Sequence, residues 1–224
     1  MSELALLSTL GLTGVLREVL PRYPGKVAAS YGPTAAILER IAGGESGDAA
    51  ILTAEGIEAL TAKGVLAAGT RVDLAASGVG IAVKAGAPKP DIATPEAFMR
   101  LLETVPSIAY SRAGASGIYF AGLLKRLGLA ETVNAKAIVI PQGFTAERVV
   151  RGEAVVAVQQ ISELMAVEGV DIVGPLPEGL QTTVVFSGAV FAGSARPVEA
   201  AALLRFLVGT ATPAMLRSKG LQPV

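Results

Sequence analysis

Short apolar runs alternate with amphipathic stretches along the whole chain. Residues 4–7 form an unbroken apolar run, which is typical of a strand buried on both faces of a sheet. Leu12, Val15 and Leu16 then recur at helical spacing, and Pro21 ends that helix. The same alternation predicts later strands at 27–30, 48–52, 72–83, 107–110, 136–140, 154–159, 170–173 and 181–190, and later helices at 33–42, 53–63, 94–104, 118–127, 145–151, 163–167, 197–208 and 213–219.

Strands that alternate with helices usually form parallel sheets, because the helix crosses over between two strands of the same direction. The sequence therefore predicts an α/β fold with two mixed, mostly parallel sheets flanked by helices. The extended stretches 72–83 and 181–190 each lie between runs of strand–helix units. We expect them to be the two segments of a hinge between two lobes. Lobe 1 is predicted to comprise residues 1–80 plus 184–224, and lobe 2 residues 81–183.

The composition excludes several kinds of chemistry. Of the 224 residues, 51% are apolar, which suffices for the cores of two small lobes. The 19 Lys and Arg residues balance the 19 Asp and Glu residues, so no basic surface indicates nucleic acid as a partner. Without Cys and His there is no Cys nucleophile, no Ser-His-Asp triad and no Cys/His zinc site. An Asp-rich calcium loop is also missing, and we expect neither a metal nor a cofactor.

The first residues do not resemble a secretory signal, which begins with a basic segment. Glu3 stands where the positive charge is expected, and residues 4–7 run directly into a predicted helix. No apolar run approaches the roughly 18 residues that span a membrane. We therefore expect no membrane insertion and a cytoplasmic location for the chain as given. If the sequence is a trimmed mature form, the expected location is the periplasm.

Small polar residues gather at three predicted strand-to-helix junctions. Such junctions lie at the carboxyl ends of strands, where α/β proteins bind ligands. Helix N-termini present unbonded N–H groups to an anion, and hydroxyls add directional donors. Arg112 adds one cation, whose planar fork suits a carboxylate or a tetrahedral oxyanion. The alternative is that these residues only cap helices or shape turns. The predicted anion ligands are Ser8, Thr9, Thr34, Arg112, Ser116 and Gly117.

A fourth polar group follows another predicted strand, at residues 159–163. Gln160 is a candidate donor to the ligand, together with Gln159 and Ser162. Glu163 has two interpretations. A carboxylate in the first turn stabilises a helix, so this residue can be a cap. It is unfavourable beside an anion unless it acts as a proton acceptor.

The order of these motifs resembles a known protein family. They are a first strand ending in Ser8, Tyr-Gly-Pro-Thr at 31–34, Gly-Asp-Ala-Ala-Ile-Leu-Thr at 47–53, the Gly-rich loop 111–117, Gly-Pro-Leu-Pro at 174–177 and Gly-Leu-Gln-Pro at 220–223. In this order the chain resembles the solute-binding proteins of molybdate-type ABC transporters over nearly its whole length. The resemblance implies the type II periplasmic binding fold, with a small anion held in the cleft between the lobes. It implies an ABC transporter permease as partner if the protein is exported. The ligands that it implies are Ser8 or Thr9, Thr34, Ser116 and Gly117.

The chain departs from that family at positions that bear on the ligand. Pro33 precedes Thr34 where paired serines are usual, and Arg112 is a cation in a site that is typically uncharged. The tyrosine that closes the molybdate site is missing. These departures favour a carboxylate. The Gly-rich loop is closer to the branch similar to aconitate isomerase, which implies as an alternative a cytoplasmic isomerase of a di- or tricarboxylate. Such a reaction moves a proton. The candidate proton carriers are Glu163, Tyr31, Tyr110 or a lysine.

Overall fold

The chain divides into two compact units. The computed structural model describes residues 3–224, so Met1 and Ser2, with which the predicted lobe 1 begins, lie outside the described residues. Unit 1 comprises Met1–Ala76 and Val184–Val224, and unit 2 comprises Ser77–Thr183. Two long strands therefore belong in part to each unit, one near each boundary.

Unit 1 is a sheet covered by helices on both faces. Its elements are β1 (Leu4–Thr9), α1 (Thr13–Val19), β2 (Val27–Gly32), α2 (Thr34–Ala42), β3 (Ala49–Thr53), α3 (Ala54–Ala62), the first part of β4 (Val72–Lys84), β9 (Thr183–Val190), α9 (Pro197–Thr210) and α10 (Pro213–Ser218). The strand order is β2-β1-β3-β9, followed by β4. β1 is parallel to β2 and β3, whereas β9 is antiparallel to β3.

Successive residues of β1 pack on opposite faces of this sheet. Leu6 lies in the core with α1, α9 and α10, and Leu7 lies in the core with α2 and α3. Both side chains are buried. This arrangement confirms the doubly buried strand that the apolar run 4–7 predicts.

Unit 2 repeats the same plan. It contains the second part of β4, α4 (Pro95–Thr104), β5 (Ile108–Ser111), α5 (Ala115–Arg126), α6 (Ala130–Asn134), β6 (Ala137–Ile140), α7 (Ala146–Val150), β7 (Val156–Gln160), α8 (Ile161–Leu164) and β8 (Val170–Pro175). β5 is parallel to β6 and β7, and β4 is antiparallel to β7 and β8. Val158 packs in the core with α4, α5 and α6, and Ala157 packs in the core with α7 and α8.

The predicted helices and strands agree with the observed ones within a few residues, with three differences that concern helices. Helix α8 spans Ile161–Leu164 and not 163–167, so Glu163 is its third residue. Helix α5 begins at Ala115 and not at Ile118, so Ser116 and Gly117 belong to its first turn. Glycine disfavours helix interiors, but the first turn tolerates it. Helix α6 lies between predicted elements and is too short to give a periodic apolar pattern. Within residues 3–224, no helix is both long and apolar enough to cross a membrane.

Candidate functional site

In unit 1, polar residues meet at the carboxyl edge of the parallel strands. The register of β1 and β2 places Ser8 opposite Tyr31 and Thr9 opposite Gly32. Helix α2 begins directly after this edge, at Thr34. The parallel pairing therefore brings Ser8, Thr9 and Thr34 to one edge of the sheet, although 25 positions separate Thr9 from Thr34.

Two hydroxyl groups at this edge are buried without a hydrogen-bond partner. The Ser8 hydroxyl donates to the Thr9 carbonyl oxygen at 3.2 Å. The Oγ1 atoms of Thr34 and Thr13, in contrast, are buried and have no partner among the described residues. The first hydrogen bond at the start of α2 runs from the Ile37 N–H to the carbonyl of Pro33, the residue before the helix. The earlier N–H groups of α2 are thus not used within the helix.

In unit 2, the end of β5 and the start of α5 form a tight junction. The Gly114 N–H donates to Ser111 Oγ at 3.1 Å, and the Ile118 N–H donates to the Gly114 carbonyl at 3.0 Å. The Oγ of Ser116, a residue that is 1% exposed, has no partner. A Cβ on Gly117 would overlap the Ser111 carbonyl oxygen and lie 2.6 Å from its carbon. Glycine is therefore required for the helix to start this close to the strand.

Arg112 follows β5 directly and is exposed. Its backbone N–H donates to the Ile140 carbonyl at 2.8 Å, which continues the pairing of β5 with β6. Its guanidinium forms no hydrogen bond or ion pair with another residue of the described chain. The structure thus leaves the five N–H donors of Arg112 to solvent or to a ligand.

The two glutamines at the end of β7 are buried and hold neighbouring backbone. In the amide orientation that satisfies its neighbours, the Gln160 nitrogen donates to the carbonyls of Ser77, at 2.9 Å, and Gly78, at 3.1 Å. The Gln159 side-chain oxygen accepts from the Thr145 N–H at 2.8 Å and from its hydroxyl at 2.9 Å. Both hydrogens of the Gln160 amide are therefore used inside unit 2.

The start of α8 carries two unpartnered polar atoms. The Ser162 N–H donates to Ser77 Oγ at 3.3 Å, but Ser162 Oγ is buried without a partner. Glu163 is 5% exposed, and its Oε2 also has no partner. Burial raises the pKa of Glu163 to about 7, although the Gln159 side chain and the Gln160 N–H lower it in part. The contact with the Gln160 N–H is that of a helix-capping carboxylate.

Sequence reasoning missed Ser77 and Thr145, which are both fully buried. Ser77 is the one hydroxyl residue of strand β4 and lies among its apolar residues and glycines, which is a usable signal. Thr145 precedes the short helix α7 and looks like an ordinary helix cap in the sequence. Its partner Gln159 is assigned only by the fold.

The two tyrosines considered as proton carriers differ in their partners. Burial raises the pKa of Tyr110, and its hydroxyl donates to Asn134 Oδ1 at 2.6 Å. Burial also raises the pKa of Tyr31, against a smaller opposite effect of Arg17. Both hydroxyls are therefore harder to ionise than usual, which makes them weak candidates for a base near neutral pH.

No cluster of three or more acidic residues that could hold a metal ion occurs in the part of the chain that the structure describes. The strand ends of both units instead present hydroxyls and backbone N–H groups. Such a donor set suits an anion and not a cation.

Comparisons with known proteins agree with this architecture. A model of the bacterial extracellular solute-binding proteins matches residues 4–222. The aconitate isomerase of a Pseudomonas species is 39% identical over 233 positions, covering 100% of this chain and 88% of that protein. The periplasmic molybdate-binding protein of Azotobacter vinelandii superimposes with a TM-score of 0.78 at 16% identity, over 97% of this chain and 98% of that one. The sulfate-binding protein of Mycobacterium tuberculosis H37Rv gives 0.75 at 20% identity, over 100% of this chain and 88% of that one.

The solved structures are similar in fold and confirm the type II periplasmic binding fold that the sequence predicts. The family model and the curated relative both extend over almost the entire chain. They confirm the resemblance that rests on the order of the short motifs. The chain belongs to the family of bacterial extracellular solute-binding proteins.

Proposed function

We propose that this protein binds a small carboxylate anion through hydroxyls and helix N-terminal N–H groups at its strand ends. One observation carries the proposal: Thr34 Oγ1, Ser116 Oγ and Ser162 Oγ are buried without hydrogen-bond partners in residues 3–224. A buried polar group without a hydrogen bond costs about 1–3 kcal/mol. A ligand that accepts from these hydroxyls removes that cost, and anions are the ligands that helix N-termini favour.

A carboxylate is favoured over a tetrahedral oxyanion because of Arg112. Its guanidinium is exposed and unpaired among the described residues, and its fork matches the two oxygens of a carboxylate. The similar proteins are named for molybdate, sulfate and aconitate, which are all anions. The one with 39% identity is named for aconitate, a tricarboxylate. As a solute-binding protein, the chain would pass this ligand to the permease of an ABC transporter.

The second candidate function is isomerisation of an aconitate-like tricarboxylate. The 39% identity to an aconitate isomerase over 100% of this chain favours it. In such an allylic shift a base removes a proton from the CH2 next to the double bond, the electron pair moves to form the new double bond, and a proton returns at the far carbon. No oxidant or reductant is consumed, so one acid–base group in the site suffices.

Calorimetry and NMR separate these functions. Molybdate, sulfate, citrate and trans-aconitate are titrated into the protein, and the proposal expects binding of the carboxylates only. Trans-aconitate is then incubated with the protein in D2O, where the isomerase function expects cis-aconitate and deuterium incorporation. Carboxylate binding without either product supports a transport component, and binding of the inorganic anions alone contradicts both functions.

Two substitutions test the orphan hydroxyls. Thr34→Val in unit 1 and Ser116→Ala in unit 2 should each weaken carboxylate binding roughly 10-fold or more, since a hydrogen bond to a charged group contributes about 1.5–3 kcal/mol. Without ligand, each variant should melt at or above the wild-type temperature, because an unsatisfied buried group is removed. The controls are Thr104→Val and Ser218→Ala, whose hydroxyls are exposed and bond within their own helices. Unchanged affinity in both test variants contradicts the assignment.

A further inference from the structure

Glu163 differs from the other buried acid of residues 3–224, Asp48. Both are 5% exposed. Asp48 forms an ion pair with Arg196 at 2.6 Å and accepts from the Ser194 hydroxyl and a backbone N–H. Among the described residues, Glu163 pairs with no cation, and its Oε2 has no hydrogen-bond partner. A buried carboxylate without a counter-charge is costly, so Glu163 is a place where the fold tolerates an unsatisfied acid.

Other polar atoms near Glu163 in the fold are also buried without a hydrogen-bond partner. Glu163 is adjacent to Ser162, whose Oγ is also buried and unpartnered. Both residues follow β7, whose neighbour β5 leads into α5 with the orphan hydroxyl of Ser116. The other contacts of the Glu163 carboxyl, with Gln159 and Gln160, are to hydrogen donors. Oε2 of the carboxyl has no such partner among the described residues.

No nearby charge sets the protonation of Glu163. Helix α8 packs against β7 and β8, and Leu164 of α8 shares a core with α7. None of the charged groups on these elements contributes to the pKa shift of Glu163, which arises from burial. β7 carries no charged group. β8 carries Asp171, which accepts from the Gly86 N–H. The charged residues on α7 or directly after it are Glu147, Arg148 and Arg151.

We propose that Glu163 binds the anion as a neutral carboxylic acid whose O–H donates to a ligand oxygen, so that ligand binding takes up a proton wherever Glu163 is ionised beforehand. An anion beside an ionised carboxylate is repelled, whereas the protonated group supplies the donor that the site needs. The inference rests on the proposed binding of a carboxylate. It holds for a transport component and for an isomerase alike, because in both the ligand must first bind.

The expected proton uptake on ligand binding follows from the pKa of about 7 of Glu163 in the unliganded protein. Ligand binding should take up about 0.1 proton at pH 6, 0.5 at pH 7 and 0.9 at pH 8. The dissociation constant should therefore rise about tenfold from pH 6 to pH 8. Since the chain has no His and no Cys, no other side-chain type ordinarily titrates in this range. The last carboxyl of a tricarboxylate ionises at higher pH than a lone carboxyl because its two neighbours are charged, so the uptake assigned to Glu163 is the part that differs between wild type and Glu163→Gln.

The test is calorimetry of trans-aconitate and citrate in pairs of buffers with different ionisation enthalpies, which reports the protons taken up. Glu163→Gln keeps a hydrogen donor and a capping oxygen but cannot titrate, so its dissociation constant should change less than about threefold between pH 6 and pH 8. The control is Glu168→Gln, an exposed acid just after α8, which should behave like wild type.

The outcomes distinguish this inference from the proposed function. Binding with proton uptake that Glu163→Gln abolishes supports both. Binding with the same proton uptake in Glu163→Gln as in wild type overturns the inference and leaves carboxylate binding in place; Glu163 is then only a helix cap. If neither trans-aconitate nor citrate binds to the wild-type protein at any pH, both fail.

Discussion

Gly117→Ala tests the junction between β5 and α5 most directly. The new Cβ would overlap the Ser111 carbonyl oxygen and lie 2.6 Å from its carbon, where ordinary contacts begin near 3.4 Å. Strand end and helix start must then move apart, against backbone and not against a flexible side chain. Overpacking of this kind costs about 3 kcal/mol, which corresponds to a fall of roughly 6–12 °C in melting temperature for a chain of this size.

The same shift displaces the N–H groups and the Ser116 hydroxyl at the start of α5. Carboxylate binding should therefore weaken in Gly117→Ala as well. The matched control is Gly122→Ala in the same helix, where the nearest atom is Arg126 Nη1 at 3.8 Å. Alanine there should stabilise the protein by about 0.5–1 kcal/mol. Thermal melts followed by circular dichroism and calorimetric titrations measure both effects. A Gly117→Ala protein as stable as wild type would refute the close approach.

Three further substitutions probe charge. Arg112→Ala should weaken carboxylate binding roughly 10- to 100-fold, since a charge-assisted hydrogen bond contributes about 1.5–3 kcal/mol. It should not lower the melting temperature of the unliganded protein. Calorimetry measures the affinity, with the exposed Arg205→Ala as the control. Glu163→Gln should raise the melting temperature at pH 8 but not at pH 4. With a folded pKa of about 7 against an ordinary value of 4.5, the folded state binds more protons in between, so wild-type stability falls by roughly 3 kcal/mol as pH rises through that window. Melts with parallel pH slopes for both proteins contradict this account. Asp48→Asn should lower the free energy of unfolding at pH 7 by about 3 kcal/mol, because it breaks a buried ion pair with Arg196. Burial raises the pKa of Asp48, but its hydrogen-bond donors and Arg196 outweigh burial and lower the pKa overall. The stabilisation by Asp48 is therefore lost as the pH falls through the folded pKa. Urea titrations at pH 7 and pH 3 measure the difference, which should shrink at the lower pH.

Local patterns in the sequence determined the class of fold. The apolar run at residues 4–7 specifies a strand buried on both faces, because neighbouring side chains of a strand point to opposite sides. Thr53 and Thr94 cap α3 and α4, since each accepts from the N–H three residues later. These features depend on residues a few positions apart, so they are written in the chain itself.

The sequence also located the strand ends at which polar residues collect, but it did not decide which polar atoms find partners. Ser111 and Ser116 look alike in the Gly-rich loop. In the structure Ser111 Oγ accepts from Gly114, whereas Ser116 Oγ is left over. The Ser162 N–H bonds to Ser77, which is 85 positions away.

Only the tertiary structure could make these assignments, because a hydrogen bond depends on where the fold places two distant groups. The same holds for Glu163, whose burial without a counter-charge raises its pKa, and for Gly117, whose backbone touches Ser111. Periodicity and capping are set by residue type at short spacing. Hydrogen-bond partners, burial and protonation are set by packing between elements that are distant in the sequence and that only the fold brings together.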